Sequence, residues 1–232
     1  MRAMDKPRSF PYVSLGYRAI GENARDTDNQ QERLVKLARL AMLIECEGSI
    51  TIGFTPPTKT RNRPALYATV DFTNTSLLLV QEAQAVLSEE EVGFTARPKR
   101  YGRGAGRKLR YDTNIHGFDR VEKVLSLLIP FMRIKTEQAK IVLDFIKSRR
   151  EAHKGDGYSE REWQMVEAVR RLNGKMPHRK SVAKAQAFLE SPESIRRPRV
   201  ADFYRRYVKM CADLQRELES VAEMPTPTGT IQ

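Results

Sequence analysis

Two carboxylates, Glu45 and Glu47, stand where a helical pattern of apolar residues changes into an alternating one. Ala41 and Ile44 recur at helical spacing before them, and we expect Gly48 to end the helix in a left-handed conformation. Partial negative charge already accumulates at the C-terminus of a helix, so two carboxylates there are unfavourable on their own. A cation would relieve that clash. The alternative interpretation is an amphipathic helix with an exposed acidic end.

The surrounding pattern predicts the elements that must position these acids. Alternating apolar and polar residues predict strands at 49–55, 66–73, 92–101 and 108–111. A capping box of Asp28 and Gln31 is expected to begin the first helix, and Thr75 to cap the second, at 76–88. Further helices are predicted at 118–128, 136–149, 158–172, 181–189 and 203–221. The fold class is therefore α+β, with the order α-β-β-α-β-β-α-α in the first 150 residues and helices after them.

The stretch Leu40-Ala41-Met42-Leu43-Ile44-Glu45-Cys46-Glu47-Gly48 resembles the LAGLIDADG motif of homing endonucleases. Glu45 and Glu47 stand in for its two aspartates, and Met42 for a glycine. A second match, residues 129–139, resembles the segment that ends the family's αββαββα core, and residues 163–189 are similar to the C-terminal helices of chloroplast-intron-encoded endonucleases. One motif is present, so the resemblance implies the single-motif group, which acts as a homodimer with an antiparallel β-saddle over double-stranded DNA.

The resemblance also implies roles for individual residues. Glu47 would bind Mg²⁺, together with the backbone carbonyl of Cys46, while Glu45 would support the site. Asn74 would order water, and His116 is a candidate for the basic residue of the site, with a surface histidine as the alternative. The implied activity is site-specific double-strand cleavage of a long pseudo-palindromic DNA site by metal-dependent phosphodiester hydrolysis. Alternatives are an intron maturase that binds intron RNA, a non-catalytic DNA-binding regulator and, outside the family, a basic ribosome-associated protein.

The charge balance favours a polyanionic partner. Lys and Arg number 41 against 29 Asp and Glu, giving a formal net charge of +12 and a pI near 9.8. Basic side chains that displace counterions from phosphates supply most non-specific DNA affinity. We expect DNA contacts from the polar side of the strands and from basic loops, namely Thr51, Lys59, Arg61, Arg63, Tyr67, Thr69, Asp71, Arg97, Lys99, Arg103, Lys108, Arg110, Lys175, Arg179 and Lys180.

Composition also limits the class of protein. Two cysteines, Cys46 and Cys211, make no disulfide framework or zinc-ligand set. With no apolar run of membrane-spanning length and no secretion signal, we expect an intracellular protein, cytoplasmic or organellar. Four segments are predicted: a flexible arm at 1–27, the core at 28–150, a helical subdomain with a DNA-backbone loop at 151–190, and a linker, extra helix and tail at 191–232.

Overall fold

The structure, a computed structural model, describes residues 25–57, 63–100, 109–153, 157–174 and 179–222. The chain divides into two compact units, residues 1–35 and residues 36–232. The described part of the first unit is the beginning of the first helix, and all other described elements belong to the second unit.

The described residues form helices and one sheet in the predicted order. The helices are α1 Arg25–Glu47, α2 Leu77–Glu89, α3 Phe118–Leu128, α4 Thr136–Glu151, α5 Glu160–Leu172, α6 Arg179–Glu190, α7 Glu193–Arg196 and α8 Pro198–Ala222, with a 3₁₀ turn at Ile129–Phe131. The strands β1 Gly48–Thr55, β2 Ala65–Asn74, β3 Thr95–Arg100 and β4 Leu109–His116 pair antiparallel in the order β1-β2-β4-β3. The α+β class and the αββαββα order are thus confirmed. Among these helices, none combines the length and the apolar character needed to cross a membrane.

The core lies on one face of the sheet. Ile50, Ile52, Val70, Phe72 and Ile115 share this face and have no solvent exposure. Helices α2 and α3 pack on β2 and β4, while α4 and α5 pack on β1. Burying each such side chain contributes about 1.5–3 kcal/mol, so the sheet is held against its helices by apolar packing. The alternate residues of the strands lie on the opposite, polar face.

Gly48 is required at the junction of α1 and β1 for a reason that differs from the prediction. Its φ lies outside the left-handed region, so the expectation of a left-handed helix end is wrong. Instead, a Cβ at this position would lie 2.6 Å from the carbonyl oxygen of Asp71 and 2.7 Å from that of Ile44. The close approach of two backbone segments excludes a side chain here.

Two predicted helix starts are corrected. Helix α1 begins at Arg25 rather than at Asp28, because neither Pro nor Gly interrupts the residues between them. The N-cap of α2 is Ser76 and not Thr75, since the Ser76 hydroxyl oxygen accepts a hydrogen bond from the Leu79 N–H at 3.4 Å.

The linker predicted at the start of residues 191–232 is also corrected, since α7 lies within it and α8 begins at Pro198. Proline suits the first turn of a helix because its missing N–H has no helical partner there. Helix α8 is attached to the end of β1 through an aromatic cluster, in which the Phe54 ring lies 5.2 Å from that of Phe203 and 4.7 Å from that of Tyr207.

Strand β3 begins later than predicted and lies at an edge of the described sheet. It begins at Thr95 rather than near Val92, which is buried. Pro98 lies within the strand, which is possible because an edge strand does not need a donor on its outer side.

We expect Gly48→Ala to destabilise the protein by roughly 1–3 kcal/mol, because the added methyl group meets backbone that cannot move away. Gly93→Ala is the matched control, since its Cβ would also meet a neighbour within 3 Å, at 2.9 Å, but that neighbour is the flexible side chain of Arg120. Urea denaturation of both variants measures the difference. Equal losses in the two variants would contradict the steric explanation.

Candidate active site and nucleic-acid interface

Glu45, in the last turn of α1, binds the residues that precede α4. Its Oε1 accepts hydrogen bonds from the backbone N–H groups of Arg133 at 2.7 Å, Ile134 at 2.6 Å and Lys135 at 3.0 Å. Partial burial by itself raises the pKa of the Glu45 carboxyl, but the three N–H donors and the Lys135 charge outweigh burial, and the pKa lies below its ordinary value. Glu45 is therefore an anion that anchors the start of one helix to the end of another.

Lys135 completes this junction in the opposite direction. Its Nζ donates to the backbone carbonyls of Ile44 at 2.9 Å and Gly48 at 2.7 Å, which flank Glu47 in the chain. The cation expected at the negative end of the helix is thus, at least in part, an ammonium group of the chain itself. The sequence interpretation missed Lys135, although it lies within the second matched segment, 129–139.

The structure brings Cys46, Glu47 and Asn74 together along one groove. Cys46 and Glu47 are exposed, and Glu47 makes no hydrogen bond or ion pair with any residue that the structure describes. Asn74 is the last residue of β2, and its Oδ1 accepts a hydrogen bond from the Ser76 N–H at 2.8 Å, which orients its side chain. Glu45 and Glu47 therefore differ: the first is used within the chain and the second faces outward.

The same groove, of about 620 Å³, is bordered by α1 and α2. It is lined largely by apolar side chains, and two of these are unusually exposed: Met42 at 66% and Leu79 at 38%. Arg39 from α1 and Glu82 from α2 also line it, so the apolar surface carries charges of both signs. In the described ranges of the chain, no three His, Cys, Asp or Glu side chains lie close enough together to hold a metal ion.

His116 lies apart from this group. It is the exposed last residue of β4 and pairs with Thr69, whereas Gly48 pairs with Phe72. The two positions differ by three residues along β2, which corresponds to about 10 Å. The His116 ring lies 6.3 Å from that of Tyr67. The structure does not bring His116 and Glu47 together.

The predicted DNA-contacting residues of the strands lie on the polar face. Pairing aligns Thr51 with Thr69 and Lys99 with Arg110, and the same alternation places Tyr67, Asp71 and Arg97 on this face. These residues differ in access to solvent. Thr69 is 5% exposed, and its hydroxyl donates to the Ile115 carbonyl at 3.2 Å, whereas Arg97 and Arg110 are exposed.

The polar face also carries a buried aspartate that the sequence interpretation missed. Asp112 is 6% exposed, forms an ion pair with Lys99 and accepts a hydrogen bond from the Thr73 hydroxyl at 2.9 Å. The sequence offered one signal for Asp112. It lies two residues after Arg110, so the two side chains fall on the same, polar side of one strand.

The other predicted DNA-binding residues are basic and lie outside the described strands in the sequence. Arg63 is exposed and lies just before β2. Of Arg179 and Lys180 only the backbone, in α6, is described. The other five lie outside the described residues, namely Lys59, Arg61, Arg103, Lys108 and Lys175.

We expect Glu45→Gln to lower the free energy of unfolding at neutral pH by about 1 kcal/mol, since a neutral acceptor binds N–H groups more weakly than a carboxylate does. The folded pKa of Glu45 is lowered, so the contribution of its charge is present above the ordinary glutamate pKa of about 4.3 and is lost as the pH falls through the lower folded value. The unfolding free energies of wild type and variant should converge in acid.

Urea denaturation at several pH values between neutral and about 3.5 tests this expectation. Glu47→Gln is the control, because this exposed carboxylate has no bond to lose among the described residues. A difference for Glu45→Gln that stays constant with pH would contradict the role assigned to its charge.

Comparison with known proteins gives similarities among solved structures alone. No family model matches the chain, and no curated protein matches it. The homing endonuclease I-CvuI, in complex with the I-CreI target, is 18% identical over 61% of this chain and 79% of that chain, with a TM-score of 0.43. I-AabMI bound to uncleaved DNA is 12% identical over 63% of this chain and 48% of its own, with a TM-score of 0.42. I-SmaMI bound to cleaved DNA is 13% identical over 59% and 42%, with a TM-score of 0.40. These three solved structures are LAGLIDADG homing endonucleases, the family whose motif residues 40–48 resemble.

Proposed function

We propose that the protein is a homodimeric, Mg²⁺-dependent, site-specific DNA endonuclease of the LAGLIDADG type. The observation that carries this proposal is the different environment of the two motif acids. Glu45 is bonded to three backbone N–H groups, whereas Glu47 is exposed and unbonded among the described residues, at the point where α1 meets the sheet. An acid with no structural partner at a helix C-terminus is costly to the fold, which supports a functional role for it.

The donor set fits a hard divalent cation. Mg²⁺ prefers carboxylate, carbonyl, water and phosphate oxygens, and one chain offers the Glu47 carboxylate and the Cys46 carbonyl. The exposed Cys46 thiol is a soft ligand and does not suit this ion. When bound, Mg²⁺ would stabilise the attacking and leaving oxygens of an in-line displacement at the scissile phosphate.

The chain's own residues would prepare that site. Lys135 offsets the negative charge at the end of α1, and we propose it as the basic residue of the site. His116 is less suitable, because its pairing partner on β2 lies three residues from the partner of Gly48. Asn74, held by the Ser76 N–H, would orient water beside Glu47.

We propose that the groove bordered by α1 and α2 is occupied by a second copy of the chain. A twofold contact places the same surface on both partners, and the apolar lining with Arg39 and Glu82 offers both burial and opposite charges to an identical surface. This contact would also bring two Glu47 carboxylates to one axis, supplying a set of ligands that the described residues of one chain do not provide.

The polar face of the sheet would bind the DNA. A two-stranded ribbon fits the major groove, and the exposed Arg97 and Arg110 can donate to guanine O6 and N7. Thr51, Tyr67, Asp71 and Lys99 extend the same surface, and the basic residues outside the sheet would contact phosphates and position the duplex.

A second candidate is a non-catalytic DNA-binding regulator of the same fold. One observation favours it: the Lys135 ammonium already neutralises the end of α1, so the junction does not need a metal ion to be stable. Cleavage and binding must therefore be measured separately.

We expect Met42→Glu to weaken dimerisation at least tenfold, about 1.4 kcal/mol, because it places an unpaired charge in an apolar contact. Ile195→Glu is the control, since Ile195 is 84% exposed and lies on α7, away from the groove. Sedimentation velocity distinguishes a dimer from the 26.6 kDa monomer. A wild-type protein that remains a monomer with and without DNA would overturn the shared site.

We expect Glu47→Gln to lower the rate of cleavage roughly 10³-fold with little effect on DNA affinity, because the amide keeps the shape but removes the charge that holds the cation. The substrate is a duplex site selected from a random library, and Glu151→Gln, at the exposed end of α4, is the charge-matched control. In the same assay Lys135→Met should lower cleavage more than His116→Ala.

Cleavage by Glu47→Gln at the wild-type rate would remove Glu47 from the site. If no variant cleaves but all bind the selected DNA, the regulator is favoured. Preferential binding of intron RNA would favour a maturase.

A further inference from the structure

A buried carboxylate lies on the face of the sheet that the proposed function assigns to DNA. The Asp112 side chain is 8% exposed, while the side chain of its ion-pair partner Lys99 is 48% exposed. The Thr73 hydroxyl donates to Asp112 Oδ1 at 2.9 Å from the neighbouring strand. Asp112 is thus fixed from two sides, from β2 and from β3.

This geometry determines which member of the pair can reach a ligand. Asp112 is covered, so it acts through the group it holds, whereas about half of the Lys99 side chain is exposed on the polar face. A lysine stem has four rotatable carbons and reaches phosphates in many directions when it is unrestrained. An ion pair with a fixed carboxylate restricts that freedom and cancels one positive charge.

The position of the pair strengthens the argument. Lys99 is aligned with Arg110, and Asp112 with Arg97, so three basic side chains surround one carboxylate on adjacent strands. Arg97, unlike Lys99, has no hydrogen bond or ion pair to the part of the chain that the structure describes. The neighbouring basic residues Arg97 and Lys99 of β3 therefore differ, because Lys99 is held by an ion pair with Asp112 and Arg97 is not held by any described residue.

We propose that Asp112 is a specificity-determining positioning residue, which fixes the Lys99 ammonium for contact with one base pair in each half of the DNA target. The inference rests on the proposed function, because it requires the polar face to contact a duplex. A fixed ammonium selects guanine through O6 and N7, since those acceptors occupy one place in the major groove. The same carboxylate lowers the sequence-independent attraction of the face for phosphates.

The test uses Asp112→Asn, which retains an acceptor for the Thr73 hydroxyl and removes the charge that holds Lys99. Binding of the full-length protein is measured for three duplexes: the library-selected site, its single-base-pair variants and a random sequence. Asp144→Asn is the control, because it makes the same change in net charge at an exposed position of α4. Lys99→Met and the double variant complete a cycle.

We expect Asp112→Asn to bind the random duplex about threefold to tenfold more tightly, with a salt slope steeper by about 0.9 per protomer, as one more phosphate is neutralised. Discrimination at one base pair in each half-site should fall about tenfold, and discrimination elsewhere should not change. A purely structural lesion would instead weaken binding to every duplex. Asp144→Asn should leave the preference unchanged.

Lys99→Met should lose the same base-pair preference without a gain in affinity for the random duplex. The double variant should show the same preference as Lys99→Met alone. The proposal is overturned if Asp112→Asn still alters the base-pair preference in a protein that carries Lys99→Met. It is also overturned if Lys99→Met alone leaves the base-pair preference unchanged. This second outcome can be measured even if Asp112→Asn does not fold. If the wild type binds a preferred site without cutting it, the endonuclease proposal fails while this comparison still decides the role of Asp112. If it binds no duplex selectively, both fail.

Discussion

The contact between Glu45 and Lys135 joins the elements on which the candidate site depends. The carboxylate holds the backbone that precedes α4, and the ammonium holds the carbonyls at the end of α1 and the start of β1. Each group satisfies backbone atoms that a helix end or a chain reversal leaves without a partner. Since the three bonds of Glu45 and the two of Lys135 run in opposite directions between the same two segments, movement of either segment disturbs both sets. The position of Glu47 follows from this junction, because it lies between two residues that Lys135 binds.

The two motif acids show how neighbouring carboxylates of one type come to differ in chemistry. Their separation along the helix is two residues, so they point in different directions. One direction meets a row of N–H groups and the other meets solvent beside an apolar groove. The anchored acid makes the position of the outward one reproducible, which is what a site built from a few side chains requires.

Much of the fold could be predicted because it depends on local pattern. The alternation in β1 and β2 and the apolar stripe before Glu45 set the order and the buried faces of these elements. The reason for Gly48 could not be predicted, because the excluding atom, the Asp71 carbonyl, comes from another strand. Lys135 was missed for the same physical reason: its partners lie about 90 residues away, and no spacing rule reports a contact of that range. Asn74 and Glu47 line the same groove, and the role assigned to Asn74 remains a prediction.

Pro98 has a consequence for how the sheet ends. An edge strand exposes a row of unpaired backbone donors and acceptors, which can pair with an edge from another molecule and lead to aggregation. Pro98 interrupts that row in β3 by removing one donor, and Arg97 beside it adds positive charge, whereas the charge of Lys99 on its other side is offset by Asp112. Like charges repel a second copy approaching edge to edge. Among the described strands, β3 therefore carries its own obstacle to edge-to-edge pairing, and a substitution that restores an N–H at residue 98 removes it.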